Sequence, residues 1–307
     1  MTISLFIEQI LNGLQFGVML FLMSAGLTLV FGVMGLINLA HGSFYMIGAF
    51  AAALFAELTG SFLIAMIASF VAALFAGALT ELIIIRKIYK RDHLDQVLAT
   101  FALILLFSEG IRWIFGAYPL YLDIPNSLSS SFNLPFEIIY SKYRMMIILV
   151  GIIIAIILYF LISKTLIGIR IKAGQNDREM IGALGVDVTK LYTIVFSLGA
   201  ALAGLAGALI GAIQSVEVGM GEPVLILAFV VIVIGGIGSI KGAFVGALLV
   251  GITDTMGRFL LPSFFSYFFD NASATSIGSS IASMSIYILM ATVLIFKPSG
   301  LYGGKND

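Results

Sequence analysis

The sequence predicts an all-α fold, a polytopic transmembrane helical bundle with about eight or nine spans. Hydrophobic residues make up 61% of the 307 residues and charged residues only 10%, whereas average soluble domains carry about 25% charged residues. The mean hydropathy is +1.13. A soluble chain of this length could not bury so much apolar surface, but a bilayer can cover it, because one span needs roughly 20 apolar residues.

Nine apolar segments are candidate spans, and each is expected to be helical because backbone groups in lipid must satisfy their hydrogen bonds internally. Segments 37–57 and 222–240 are candidates for re-entrant or broken helices. The first begins with Asn38 and His41 among small residues, and the second ends in the glycine-rich sequence I-G-G-I-G-S-I-K-G at 234–242. The nine segments are 8–33, 37–57, 61–85, 95–115, 144–163, 191–213, 222–240, 242–261 and 277–296.

The lysines and arginines predict the orientation, because cytoplasmic loops of membrane proteins are enriched in both. With nine spans, most of them fall on one side, so we expect an external N-terminus and a cytoplasmic C-terminus. The first of these cations is Arg86, so the first segment lacks the positive region of a signal peptide and is interpreted as a retained span. The cations on the cytoplasmic side are Arg86, Lys87, Lys90, Arg91, those of the loop 164–190, Lys241, Lys297 and Lys305.

Composition and missing motifs exclude several classes of function. The net charge is zero, which argues against a nucleic-acid partner, and the absence of cysteine excludes thiolate chemistry. The histidines, His41 and His93, are too far apart in sequence to suggest a metal pair, and no H-E-x-x-H or G-x-S-x-G motif is present. The glycine-rich stretches 235–242 and 300–306 both break the P-loop pattern. We expect no catalytic residue, no metal site and no nucleotide site in this chain.

Glycines recur at a spacing of four, which lets membrane helices approach closely. Gly13 and Gly17 form one such pair in the first segment. We expect these residues to mark tight helix packing within the subunit, and closely packed helices that tilt as units also suit alternating access. The other glycines at this spacing are Gly207, Gly211, Gly238, Gly242 and Gly246.

Few ionisable residues lie within the spans, and such residues are functional candidates by default. Asn38, His41 and Gly42 follow the first span. They either satisfy the ends of a broken helix or line a solute path. Glu109 and Arg112 are three residues apart, and Asp254 and Arg258 are four apart, so each pair can form an ion pair on one helix face. The ion pairs are interpreted as structural.

The loop 164–190 is a cationic, polar stretch between two apolar segments. Asp177 and Glu179 are placed where the positive end of a helix dipole would favour anions. Gly185 is placed where a glycine ends a helix. Three apolar residues recur between them at helical spacing and are expected to offer one face to a partner: Met180, Ile181 and Leu184.

Several motifs together resemble the permease subunits of ABC importers for branched-chain amino acids, the hydrophobic amino acid uptake group. The resemblance extends over nearly the whole chain, and its most distinctive elements are N-x-A-H-G at 38–42 and the K-P-x-G-L tail. The motifs are G-L-T-L-V-F-G-V-M-G-L-I-N-L-A-H-G-S-F-Y-M-I-G-A (26–49), R-E-M-I-G-A-L-G-V (178–186), F-S-L-G-A-A-L-A-G-L-A-G-A-L (196–209), V-V-I-V-I-G-G-I-G-S-I-K-G-A-F-V-G-A (230–247) and F-K-P-S-G-L-Y-G (296–303).

This resemblance implies that residues 1–307 form a single transmembrane permease domain in a bacterial or archaeal cell (inner) membrane. The implied partners are two cytoplasmic ABC ATPase subunits, a second permease subunit in a homo- or heterodimer, and an external solute-binding protein. The chain itself is expected to bind no cofactor, since ATP and magnesium would belong to the ATPases. The implied cargo is a branched-chain or other aliphatic amino acid; the alternatives are urea or short amides in the same architecture, and an ion-coupled secondary transporter.

The resemblance also implies a role for the loop 164–190. In ABC permeases a short cytoplasmic helix with an E-A-A-x-x-x-G pattern seats in a cleft of the ATPase. Here Glu179 and Gly185 keep the spacing of that pattern, whereas Met180 and Ile181 replace its two alanines. The loop is therefore expected to couple the chain to an ATPase, with contacts that differ in detail from the family pattern.

Overall fold

The computed structural model describes residues 3–89 and 91–303 of the chain, so Lys90 and Lys305 lie outside the described residues. Among these residues, eight helices are long and apolar enough to cross a membrane. The helices are α1 (Ile3–Met34), α2 (His41–Thr59), α3 (Phe62–Thr80), α4 (Arg86–Ile88), α5 (His93–Phe115), α6 (Lys142–Lys164), α7 (Leu166–Asn176), α8 (Arg178–Ala183), α9 (Val188–Gly211), α10 (Gly221–Gly235), α11 (Ile240–Phe265) and α12 (Asn271–Phe296).

The all-α prediction is confirmed, and eight of the nine predicted segments correspond to helices of spanning length. The exception is α10, whose 15 residues rise only about 22 Å against a hydrocarbon core of about 30 Å. Gly236 and Gly238 follow it with φ of 100° and 79°, a conformation that ends a helix. The segment 222–240 is therefore a shorter helix followed by a turn.

The chain also breaks between α1 and α2. Gly35 has a φ of 64° and closes the end of α1 by donating its backbone N–H to the Phe31 carbonyl at 2.9 Å. Residues 35–40 are not helical, so Asn38 lies in the link and α2 begins only at His41. The predicted segment 37–57 is thus a 19-residue helix preceded by an irregular stretch.

A hairpin that the sequence did not indicate lies in the loop 116–143. Its strands are β1 (Ser131–Leu134) and β2 (Ile138–Ser141), which pair antiparallel with Phe132 opposite Tyr140. Tyr140 is buried, and this burial raises the pKa of its hydroxyl to about 12. The loop is therefore a folded element with a buried side.

The chain forms two compact units, each built from segments that are distant in sequence. The first unit comprises Met1–Phe21, Pro125–Ile153 and Phe229–Asp307, and the second comprises Leu22–Ile124 and Ile154–Ala228. The prediction of one permease domain over 1–307 stays a prediction.

In the second unit, α2 and α3 pack against α9 through small residues. The Cα of Gly48 lies against that of Gly204, where a side chain on either residue would meet the backbone or Ala73. The Ser69 hydroxyl donates a 2.8 Å hydrogen bond to the Gly204 carbonyl. Gly207 lies against the Tyr45 carbonyl in the same way. These contacts bring three helix backbones close together around α9.

In the first unit, α11 packs against the start of α1 and against α12. A Cβ on Gly13 would lie 2.9 Å from the Ile252 Cα, and one on Gly17 would lie 2.9 Å from the Leu248 Cα. The C-terminal tail covers the end of α10. Leu301 and Tyr302 donate their backbone N–H groups to the carbonyls of Ile234 and Gly235 at 2.8 and 2.9 Å. The tail thus satisfies carbonyls that a helix end leaves free.

Candidate functional site

The loop 164–190 folds into two short helices, α7 and α8. The Asp177 carboxylate caps α8 by accepting the backbone N–H groups of Glu179 and Met180, both at 2.9 Å. Thr165 caps α7 in the same way through the N–H of Gly168 at 3.2 Å. The predicted position of Asp177 and Glu179 at a helix start is confirmed.

Gly185 ends α8 as the sequence predicted. Its φ is 85°, and its N–H donates to the Gly182 carbonyl at 3.0 Å. Val186 donates to the Ile181 carbonyl at 3.2 Å. These two bonds form a Schellman motif, in which a left-handed residue closes the helix. The hexapeptide helix is therefore held at both ends by local hydrogen bonds.

The exposed apolar face of α8 differs from the predicted one. Met180 and Leu184 are 61% and 77% exposed, whereas Ile181 is only 4% exposed. Ile181 therefore packs inward and anchors the loop, and the prediction that it belongs to an exposed face is wrong. Asp177 and Glu179 are exposed beside Met180. The coupling role of these residues stays a prediction.

We expect Gly185→Ala to loosen α8, because a non-glycine residue in the left-handed region costs about 1–2 kcal/mol. Hydrogen exchange of the 178–186 amides in the solubilised protein should accelerate about ten-fold. Gly182→Ala is the matched control, since its Cβ would meet only the Val188 side chain at 3.7 Å in a helical backbone. Equal exchange rates in the two variants would contradict the assignment of Gly185 as the helix cap.

A buried carboxylate joins the end of α3 to α9 in the second unit. Glu81 is fully buried and binds the Arg86 guanidinium at 3.1 Å. Thr193 donates its hydroxyl to Glu81 at 2.7 Å and accepts from Arg86 at 2.9 Å. The Tyr89 hydroxyl also donates to Glu81. Burial, and next the hydrogen bond to Glu81, raise the pKa of Tyr89. We call these four residues the Glu81 network.

No spacing pattern in the sequence indicated this network. Helical ion pairs are sought at spacings of three or four, but Glu81 and Arg86 are five apart. They meet because residues Glu81–Ile85 form a π-helical turn, in which the hydrogen bonds join residues five apart. A lone glutamate inside the apolar segment 61–85 was the available signal.

Asn38, His41 and Gly42 lie in the interior of the second unit. The His41 Nε2 lies 3.2 Å from the Met23 carbonyl, which is a bond to the helix before the break. Among the described residues, the Asn38 amide and the His41 Nδ1 have no protein partner although both are buried. Gly42 lies against the backbone of Gly221 at the start of α10. Buried polar atoms of this kind are usually satisfied by ordered water. The role of these three residues in a solute path stays a prediction.

Both predicted ion pairs form. Arg112 binds Glu109 at 2.6 Å on an exposed face. Arg258 binds Asp254 at 3.0 Å, and its Nη2 donates to the Ser283 hydroxyl at 3.1 Å. Asp254 is buried, whereas the Arg258 side chain is 52% exposed.

The predicted packing glycines have different neighbours. Gly207 contacts α2, and Gly242 and Gly246 contact α10, as close helix packing requires. Gly211 instead faces the Val216 side chain in the following loop. Gly238 lies in the turn before α11 with a φ of 79°, so its assignment to a packed helix face is wrong. The turn needs its left-handed conformation.

A family model described as "Branched-chain amino acid transport system / permease component" matches residues 9–296. The chain belongs to this family. This permease is 27% identical to the high-affinity branched-chain amino acid transport system permease protein BraD of Pseudomonas aeruginosa, over 97% of this chain and 96% of the relative. It is 28% identical to the probable branched-chain amino acid transport permease protein LivH of Methanocaldococcus jannaschii, over 96% and 92%.

A similar match extends to the LivH permease of Escherichia coli, at 26% identity over 97% of this permease and 96% of the relative. No solved structure matches the chain. Together with the eight helices of spanning length, family membership establishes the permease as a multi-pass membrane protein.

Proposed function

We propose that this chain is the transmembrane permease subunit of an ATP-driven ABC importer for branched-chain or other aliphatic amino acids. The observation that carries the proposal is the family match over 9–296. Near full-length relatives in Pseudomonas aeruginosa, Methanocaldococcus jannaschii and Escherichia coli are all named for branched-chain amino acid transport. An external binding protein would deliver the solute, and this chain with a second permease subunit would form the path.

We further propose that two ATPase subunits bind the loop 164–190 and hold the ATP and magnesium, so that this chain has no catalytic activity of its own. The support is physical. Met180 and Leu184 are apolar yet exposed on a helix whose two ends are capped, so they offer a rigid surface rather than a flexible loop. Preorganised surfaces of this kind lose less entropy when a partner binds.

The proposed orientation has the N-terminus outside and the C-terminus in the cytoplasm, in a bacterial or archaeal cell (inner) membrane. Eight crossings would leave both termini on one side, so this orientation requires the short helix α10 to carry the chain across the membrane as a ninth segment. The stretch 86–91 and the loop 164–190 together contain eight of the fourteen described lysines and arginines. Placing both in the cytoplasm follows the enrichment of lysine and arginine in cytoplasmic loops. The loop 164–190 is then on the side where ATPases bind.

The structure of the second unit suggests how movement of the loop would be transmitted. Asp187 caps α9 directly after α8 by accepting the N–H groups of Thr189 and Lys190, both at 3.1 Å. The bond from Lys190 is the main reason that the pKa of Asp187 lies below its usual value. α9 is in turn held to α2 and α3 by glycine contacts. A displacement of α8 would therefore move α9 together with its packed neighbours.

The test is uptake of labelled leucine by cells that lack this chain. We expect uptake to be lost, to return when the chain is restored, and to be inhibited by isoleucine and valine but not by urea. Restored urea uptake without leucine uptake would move the cargo to short amides. Uptake that persists without ATPase partners, and that requires Glu109 or Asp254, would indicate an ion-coupled transporter instead.

A further inference from the structure

The feature that the proposed function leaves unexplained is the half-exposed guanidinium of Arg258. It lies on the α11–α12 hairpin of the first unit, in a helix of spanning length. Asp254 binds its Nε with both carboxylate oxygens at 3.0 Å, and Ser283 accepts from Nη2. Neither contact involves Nη1. A guanidinium has five N–H donors, so this one keeps donors that can bind a further acceptor.

Counting along the two helices places the guanidinium deep in the membrane. α11 and α12 are antiparallel, because Gly257 lies against Ala282 while Pro262 lies against Gly278. At about 1.5 Å per residue, Asp254 is about 17 Å from the end of α11. Ser283 is about 18 Å from the start of α12 by the same measure. Both residues lie within about two residues of the midpoint of a 26-residue helix, so a helix centred in the bilayer places them near the middle of a hydrocarbon core about 30 Å thick.

The direction of the side chain supports this depth. An arginine that lies near a helix end in lipid normally extends toward the closer water interface. The closer end of α11 is Phe265, but Arg258 turns the other way and binds Asp254, one helical turn deeper. The pair with Asp254 therefore holds the guanidinium about one helical turn closer to the middle of α11 than the Arg258 backbone.

The surface around Arg258 contains polar as well as apolar residues. On α12, Ser276 and Ser280 are exposed before Ser283, and Met284 and Tyr287 are exposed after it. In contrast, the exposed residues in the middle of α6 are Ile152 and Ile153, as expected where a helix faces lipid. A charged side chain in contact with lipid at the bilayer centre is strongly unfavourable, and such residues usually face a water-filled cavity.

We propose that Arg258 binds the carboxylate of the transported amino acid at a water-filled face of α11 and α12. This inference rests on the proposed function. Asp254 orients the guanidinium. It also neutralises the charge of Arg258, so the site suits a zwitterion with no net charge. The hydroxyl oxygen of Ser280, about one helical turn from Ser283, is an acceptor for the solute ammonium group. Urea and short amides lack the carboxylate that this site would bind.

The first test compares two variants, reconstituted in proteoliposomes with the ATPases and the binding protein. Arg258→Gln should lower the maximal rate of leucine transport about ten-fold or more, because charge-assisted bonds to a carboxylate are lost. The double variant Asp254→Asn/Arg258→Gln contains no unpaired charge, and it should remain equally defective. If Asp254 and Arg258 only neutralise each other within α11, the double variant would recover transport, which would overturn the proposal.

The second test measures whether the face is wet, and it does not depend on the cargo. The chain contains no cysteine, so Ser280→Cys and Ile153→Cys each introduce one thiol. A membrane-impermeant charged methanethiosulfonate should modify the cysteine at 280 and not that at 153, since the reaction needs a thiolate in water. A cysteine at 280 as unreactive as that at 153 would overturn the proposal.

The two tests also separate this inference from the proposed function. If wild-type liposomes transport no leucine, the proposed cargo is wrong whatever the variants do. If the wild type transports leucine and the double variant matches it, only the Arg258 site is wrong.

Discussion

Gly48→Val is expected to prevent folding of the second unit. The Gly48 and Gly204 backbones are in direct contact, so a Cβ on Gly48 would overlap the Gly204 backbone. Overlap with backbone cannot be relieved by a change of rotamer, and overpacking typically costs about 1–3 kcal/mol even where side chains can move. We therefore expect a loss of more than about 3 kcal/mol, and little or no monodisperse protein after extraction in detergent.

The matched control is Gly110→Ala in α5. A Cβ there would meet nothing within 4 Å, and the residue is helical. Since glycine costs roughly 1 kcal/mol relative to alanine within a helix, this variant should be as stable as the wild type or more stable. Normal yield and thermal stability of Gly48→Val would show that α2 and α9 do not pack as closely as described.

Glu81→Ala is expected to destabilise the protein by about 2–3 kcal/mol. Removing one partner of a buried ion pair typically costs more, about 3–5 kcal/mol. The Arg86 side chain is 37% exposed, however, so water can partly replace the lost carboxylate. Tyr89 and Thr193 also lose their shared acceptor. The midpoint of thermal unfolding in detergent measures the effect, and Glu57→Ala is the control because Glu57 is exposed.

The same variant should also weaken coupling. The Glu81 network joins the end of α3 to the first turns of α9, directly after the loop that we propose the ATPases move. In proteoliposomes that also contain the ATPases and the binding protein, transporters with Glu81→Ala should consume more ATP per leucine transported than transporters with Glu57→Ala. An unchanged ratio, in a variant that unfolds earlier, would limit the network to a structural role.

Local features could be predicted because they depend on neighbouring residues. The apolar segments became helices since a run of about 20 apolar residues has few other stable states in lipid. Asp177 and Gly185 were assigned correctly because a side-chain cap and a left-handed glycine act within one or two turns of the backbone. Asp254 and Arg258 pair for the same reason, since they lie one helical turn apart.

Features that depend on distant residues could not be predicted. Thr193 and Glu81 are 112 residues apart in the chain, and only the packing of α3 against α9 brings them together. Ile181 has the same apolar character as Met180, so its burial follows from what lies beneath α8 and not from its spacing. Gly238 follows the spacing of Gly242, yet its left-handed backbone places it in a turn.

The sequence alone was sufficient for the helical membrane class, the approximate spans, the caps of the loop 164–190 and the resemblance to the permease family. Each of these depends on composition, on motifs or on interactions within a few residues. Tertiary structure decided which residues are buried, which glycines lie between closely packed helices, and that the Arg258 side chain is half-exposed beside Asp254. The burial of a side chain and the distance between two helix backbones depend on residues from the whole fold. A pattern of neighbouring residues therefore cannot predict them.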